Sequence, residues 1–297
     1  MTRRRDIETH RYSLAEIREI MNSMKSLAYM ETRKLSRFLD AQQAVVRNIE
    51  SAASDFLDFY PETLPDSAGT RPFYLLIGSE RGFCGDFSHR AVAMLEDTLS
   101  VHDGETPFVI AVGHKLHPLL EKASYATTML DGAGVVEDIP ALLDSMLEIL
   151  LSRQQEHGDL SLHAIYHRSS DEIVTETLLP PFSNLLSRSP AHQDPPLLNL
   201  QPEDFMLELV DQYLFAALHE LLYTSLMAEN QQRVMHLESA VRHLDEKLSE
   251  LNRQINILRQ EEITEEIEVL LLSTGSLDEK QSETSEACRY PGSRKHV

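Results

Sequence analysis

Gly78-Ser-Glu-Arg-Gly-Phe-Cys-Gly85 is the stretch whose residue types come nearest to a chemical site. Its glycines follow an apolar run and precede a helical pattern, where backbone N–H groups can cradle a phosphate. The glycine spacing is four and then three. That differs from the dinucleotide fingerprint, and no Gly-Lys-Ser/Thr follows as a P-loop requires. The spacing favours a tight structural turn, with a nucleotide site as the alternative. Cys84 has Arg81 nearby, which would favour a thiolate, and His89 is the near candidate for a base. A structural thiol is favoured over a catalytic one.

Other candidates are weaker. His114 and His117 are three apart on an expected helix and could share a face, whereas His163 and His167 are four apart on an expected strand. No Cys, His and carboxylate set has zinc or iron spacing. Surface or half-buried histidines are therefore expected, and neither a metal nor a cofactor is assigned. Glu261-Glu-Ile-Thr-Glu-Glu-Ile-Glu268 could attract a cation. A helix fans such carboxylates around its axis, whereas a cation loop folds them together. A solvated helix face is favoured.

These residues sit in a chain of three zones. Residues 1–60 contain no glycine or proline, and neither do residues 203–274, whereas nine of the eleven glycines and twelve of the thirteen prolines lie in 61–202. Both residue types disrupt helices. Two long helices enclosing a compact domain follow. In the first zone a 3-4 spacing runs Leu14, Ile17, Met21, Met24, Ala28, Glu31, Leu35, Phe38, Gln42, Val45, Ile49, Ala52, Phe56, Phe59. In the last it runs Val234, Leu237, Val241, Leu244, Leu248, Leu251, Ile255, Leu258, slips, and resumes at Ile267 and Leu270. Sustained alternation of three and four is a coiled-coil seam. At 1.5 Å per residue the helices would reach roughly 70 and 100 Å, so each needs a partner along its length, and the other helix is the nearest.

The centre alternates between strands, at 73–77, 107–112, 125–130, 160–167 and 173–179, and helices, at 88–99, 114–122 and 138–157. That order implies an α/β fold with a mostly parallel, Rossmann-like sheet. The expected organisation is an N-terminal coiled-coil helix at 1–60, a central α/β domain at 61–201, a C-terminal coiled-coil helix at 202–277 and a disordered polar tail at 278–297.

Charge and composition narrow the function classes. The net charge is −21, carried as +1 on residues 1–60, −12 on 61–201 and −10 on 202–297. Such acidity opposes nucleic acid and anionic lipid as partners. No run approaches the roughly 18 apolar residues of a membrane-spanning helix. The basic start, Met1-Thr-Arg-Arg-Arg5, has no apolar run behind it and reads against a secretory signal. Cys84 and Cys288 are too few for a disulfide framework and read as free thiols in a reducing compartment.

The motifs also carry a resemblance. Gly78 to Ser88 is similar to the Thr-Ser-Asp-Arg-Gly-Leu-Cys-Gly-Gly-Leu-Asn segment of F-type ATP synthase gamma subunits, matching in kind at Ser79, Glu80, Arg81, Gly82, Cys84 and Gly85. Asn256-x-x-Arg259-Gln260-x-x-Ile263-Thr264-x-Glu266-Ile267 resembles that family's Asn-x-x-Arg-Gln-x-x-Ile-Thr-x-Glu-Ile signature. Glu229-x-x-x-Arg233, Ile20-x-x-x-Met24-Lys25-x-x-Ala28, Ala164-Ile-Tyr166 and Leu178-Leu-Pro180 resemble further family elements in the correct order, over about residues 1–277. Asp86 and Ser88 depart from the central motif, Met21 replaces a threonine, and the histidine and methionine flanking the arginine are absent. The departures suggest a side branch, one of the alternative F-type ATPases.

The resemblance implies a non-catalytic rotor shaft that couples ion flow in a membrane sector to ATP synthesis or hydrolysis. It implies contacts from Met24, Lys25, Glu229, Arg233, Arg259, Gln260 and Thr264 to the alpha and beta subunits of the catalytic head. Gly78, Arg81, Gly82, Cys84 and Gly85 would form a structural turn. The hairpin end, near 40–60 and 203–215, would meet an epsilon-type subunit and the membrane c-ring. The chain would lie peripherally on the cytoplasmic face of the inner membrane, without inserting into it. Two rival classes stand beside this reading: a nucleotide-binding α/β enzyme, and a coiled-coil scaffold or adaptor whose helices pair between chains.

Overall fold

The computed structural model describes residues 2–64, 71–101, 107–121, 125–158, 160–182 and 195–287. Helix α1 spans Thr2–Leu57 and helix α5 spans Pro202–Ala287. Between them in sequence lie β1 (Arg71–Ile77), α2 (Phe87–Val101), β2 (Phe108–Val112), α3 (His117–Leu120), β3 (Ala126–Leu130), α4 (Ile139–His157), β4 (Leu160–His167) and β5 (Ile173–Leu179). The expected helix at 114–122 is a 3-10 turn, His114–Leu116, followed by the single turn of α3, with Pro118 in its first turn. Helix α5 passes the expected boundary at 277 and continues to Ala287; Cys288 and the rest of the expected tail lie outside the described residues.

The sheet order is β3-β2-β1-β4-β5. The β1–β2, β1–β4 and β2–β3 pairs are parallel, and β4–β5 is antiparallel. Only Arg168–Glu172 joins β4 to β5, too short for a crossover. Strand β1 is a continuous apolar run because both faces are covered. The pleat sends Phe73, Leu75 and Ile77 into a core shared with α1, α4 and α5. It sends Tyr74 and Leu76 into a second core with Ala91 and Leu95 of α2 and with Leu116 and Leu120.

The chain divides into two compact units, Met1–Met21 with Ala240–Val297, and Asn22–Ser239. This division cuts through both helices and differs from the expected domain limits. The larger unit takes in those helix segments that share the sheet's core, among them Leu35, Phe56, Leu218 and Leu222. Within it α1 and α5 run antiparallel: Phe38 stacks on Tyr223 at 5.9 Å between ring centroids, Gln42 Nε2 donates to Ala216 O at 3.0 Å, and Phe56 packs on Phe205 at 4.8 Å. The smaller unit is also an antiparallel pair. Arg4 meets Glu262 at 2.7 Å, Arg11 meets Asn252 at 3.2 Å and Arg18 meets Asp245 at 3.0 Å.

The seam on α5 follows the expected positions, with Val241 buried and Leu244, Leu248, Leu251, Ile255 and Leu258 half-buried. The seam on α1 holds in part: Ala28, Leu35 and Phe56 are buried as expected, but Phe38, Val45 and Ala52 are exposed, and Val46 and Ala53 are buried in place of the last two. Ala28 to Val46 and Leu35 to Ala53 are each 18 residues apart, five turns of a straight helix at 3.6 residues per turn. A strict heptad drifts off that face. In the same way Ile17 is exposed and Arg18 is half-buried.

Candidate functional site

The 78–85 loop lies at the C-terminal end of β1, where neighbouring strands β2 and β4 lead to opposite sides. In open α/β sheets ligands bind at this switch point. Here the chain's own groups occupy it. The N–H of Gly78 donates to Val112 O at 2.9 Å, and that of Ser79 to Ser88 Oγ at 3.1 Å. The N–H groups of Glu80 and Arg81 donate to Glu229 Oε2 and Oε1 at 3.2 and 3.3 Å. Four successive amides that could have held a phosphate are thus engaged, two of them by a carboxylate from α5. The Glu80 side chain in turn accepts from His114 N at 2.9 Å and Gly132 N at 2.7 Å through Oε2.

Glu229 is held from the other side by Arg233, one helical turn on. Arg233 also donates to Gly82 O at 3.2 Å and to Asn230 Oδ1 at 2.6 Å. Glu229, Asn230 and Arg233 are all buried. Burial pushes the Glu229 carboxyl up from its ordinary range, against the pull of Arg233 and the two amides. The pair therefore acts as a lock between loop and helix.

The loop backbone fits the lock closely. Gly85 has φ +60, and a Cβ there would lie 2.1 Å from His236 Nε2. A Cβ on Gly78 would lie 2.5 Å from Leu116 Cγ. Cys84 is buried beside Glu229, and burial first, then that carboxylate, pushes its thiol up to about 12. The surroundings thus oppose the thiolate that Arg81 was expected to favour. His167 stacks on Phe87 at 3.6 Å, and its Nε2 lies 2.9 Å from Phe87 O.

The expected contact residues divide into two sets. Glu229 and Arg233, expected to face other subunits, are buried and bonded to the turn at Gly78, Arg81, Gly82, Cys84 and Gly85, of which Arg81 and Gly85 are exposed. Met24 and Lys25 are half-buried on α1, while Arg259, Gln260 and Thr264 are exposed on α5. Thr264 Oγ1 donates to Gln260 O at 2.9 Å, which holds the hydroxyl against its own helix. Beyond Glu262 the apolar residues Ile263, Ile267, Leu270, Leu271 and Leu272 are 47% to 75% exposed. The resumed repeat at Ile267 and Leu270 therefore faces outward.

Two long terminal helices, antiparallel within each unit, with an inserted α/β domain whose switch point is closed by α5, define the class of fold. The family model described as ATP synthase matches residues 3–272, and the chain belongs to that family. Among curated relatives, the ATP synthase gamma chain of Clostridium beijerinckii is 25% identical over 275 residues, covering 86% of this chain and 91% of the relative. That of Clostridium novyi is 22% identical over 265 residues, with the same coverage of 86% and 91%. A chain of the Euglena gracilis mitochondrial ATP synthase (OSCP/F1/c-ring, rotational state 3) shares the fold with a TM-score of 0.55 at 16% identity, over 100% of this chain and 99% of that one. A chain of the Tetrahymena thermophila mitochondrial ATP synthase central stalk and c-ring has a TM-score of 0.51 at 16% identity, over 74% and 99%.

Proposed function

We propose that the chain is the central rotor shaft, the gamma subunit, of a rotary F-type ATP synthase. It couples ion flow through a membrane sector to ATP synthesis or hydrolysis in a catalytic head. The observation that carries this reading is the antiparallel pairing of the two terminal helices around an inserted α/β domain, in a chain that matches the family over residues 3–272. In the larger unit α5 is packed against both α1 and the sheet, and the Glu229–Arg233 lock ties it to the 78–85 loop. Torque on any of these parts is shared among them. A rotating shaft then offers each nucleotide site of the head a different face, and differential contact shifts each site between states.

The chain supplies no reacting group in this scheme. Its Rossmann-like switch point is closed by Glu229, which disfavours the nucleotide-binding enzyme as a rival. Pairing of the helices within one chain disfavours the adaptor. Lys25, Met24, Arg259, Gln260 and Thr264 are the contacts to the alpha and beta subunits; a Lys25 ion pair there would be modest in energy and salt-sensitive. The exposed apolar stretch at 263–272 needs cover, which a head ring provides. The end near 40–60 and 203–215 meets the epsilon-type subunit and the c-ring. No described helix is long and apolar enough to cross a membrane. The rotor reading itself implies a peripheral position, at the cytoplasmic face in a bacterium. Its departures from the family motifs suit an alternative F-type ATPase.

Purification through a tag on this chain tests the reading. Alpha and beta subunits and the c-ring should co-purify. A Gln260→Ala, Thr264→Ala complex should lose ATP synthesis driven by an ion gradient while the chain keeps its helix content. Failure to recover head subunits would remove the rotor assignment, and unchanged synthesis would remove the contact assignment.

A further inference from the structure

The corner of the sheet beside the lock carries three ligating groups that the rotor scheme does not use. We propose that His114, His117 and Asp131 form a binding site for a divalent first-row transition ion of the zinc class. One ligand atom from each residue lies within 4.8 Å of the other two. The set is two imidazoles and one carboxylate. That donor set selects zinc, cobalt or nickel over magnesium and calcium, which take oxygen ligands. Three protein ligands leave the fourth tetrahedral position to water.

Local structure explains why the three converge. His114 opens the 3-10 turn after β2 and His117 opens α3. Positions i and i+3 eclipse in a 3-10 turn, and the two rings accordingly lie 5.1 Å apart. Asp131 directly follows β3, which pairs with β2 in parallel so that both strands end at the same edge. Gly113 N donates to Leu130 O at 2.9 Å, which closes the gap between the two strand ends. Glu80 Oε2 then accepts from His114 N and Gly132 N at 2.9 and 2.7 Å, so one carboxylate oxygen pins both ligand-bearing segments. It also adds negative charge beside the site.

A second observation points the same way. His117 Nε2 is buried with no hydrogen-bond partner among the described residues, a state that buried polar atoms seldom keep. His114 and Asp131 are exposed. Ligands at about 2.0–2.1 Å from a tetrahedral ion stand roughly 3.4 Å apart. Closing the cluster from 4.8 Å asks the ligand atoms to approach by up to about 1.4 Å, and rotation of the two exposed side chains can supply it.

Titration of the full-length chain with Zn2+, followed by calorimetry, tests the proposal, with Co2+ as a spectroscopic substitute. The wild-type chain should bind one equivalent more tightly than any background sites, with an upward shift in Tm. Co2+ should give the strong visible absorption of four-coordinate geometry, and Mg2+ should not compete. His114→Ala and Asp131→Asn should each weaken binding by about tenfold or more. Both side chains are exposed, so the fold should persist, and circular dichroism verifies it. His243→Ala, an exposed histidine elsewhere on α5, should bind as wild type does. Zn2+ uptake unchanged by His114→Ala and Asp131→Asn would overturn the site, as would a wild-type chain that takes up none.

Discussion

Replacing Arg233 by leucine should uncover a charge that the fold otherwise neutralises. The guanidinium contacts Glu229, Gly82 O and Asn230 Oδ1, all in a buried position. Removing one partner of a buried ion pair costs about 3–5 kcal/mol, because the other charge stays buried. For a unit of this size 1 kcal/mol moves Tm by about 2–4 °C, so a fall of roughly 10 °C is expected. The loss should depend on pH with a definite sign. Burial already raises the Glu229 carboxyl, and without Arg233 it rises further. A carboxyl whose folded pKa lies above its unfolded value contributes stability below the unfolded pKa and loses it as pH rises through the folded one. The deficit of Arg233→Leu should therefore grow as pH rises from about 5 to about 8. Adding Glu229→Gln should recover about 1–2 kcal/mol at the higher pH by removing the charge. Urea unfolding at both pH values, followed by circular dichroism, reads all of this. A deficit under about 1 kcal/mol, one that does not change with pH, or a double variant weaker than the single would refute the lock.

Two further substitutions probe the packing around the lock. Gly85→Ala should cost about 1–2 kcal/mol for its left-handed backbone alone, plus the clash with His236; His236→Ala should relieve only the clash, and full recovery of the unfolding midpoint would show that the backbone is not strained. Burial pushes His167 down to about 4 from its ordinary 6.5, so its neutral form supports the fold above pH 6.5 and that support drains away as pH falls towards 4. Roughly 2–3 kcal/mol should be lost over that window, and His167→Gln should flatten the dependence; parallel pH profiles for the two chains would count against the assignment.

Periodicity and punctuation made the elements legible. Residues 160–167 and 173–179 match β4 and β5 to the residue, because alternating apolar runs bounded by glycine, serine and aspartate leave little choice of register. The parallel sheet followed from the same alternation of strands and helices. The α1 seam was legible only in part. A heptad template assumes that two helices supercoil around each other alone. In the larger unit α1 also shares a core with the sheet and α4, so its buried face follows the 3.6-residue period of a straight helix and moves from Val45 and Ala52 to Val46 and Ala53.

The lock was hidden for a different reason. Its halves lie some 150 residues apart, at Glu80–Gly82 and Glu229–Arg233, and each half reads alone as an ordinary surface motif. One signal was available: Glu229, Asn230 and Arg233 follow directly on the apolar stretch from Leu214 to Ala228. A carboxylate and an arginine one turn apart on a helix face continuous with a core are not cheaply left unpaired. The carboxylate implies buried N–H donors nearby, and the 78–85 loop supplies them through Glu80 and Arg81. The same logic applies to His114, His117 and Asp131, whose third member comes from the next strand. Spacing along one chain segment cannot disclose a cluster that only sheet topology assembles. In this protein the polar groups with the most specific surroundings are those that strand order and helix packing bring together.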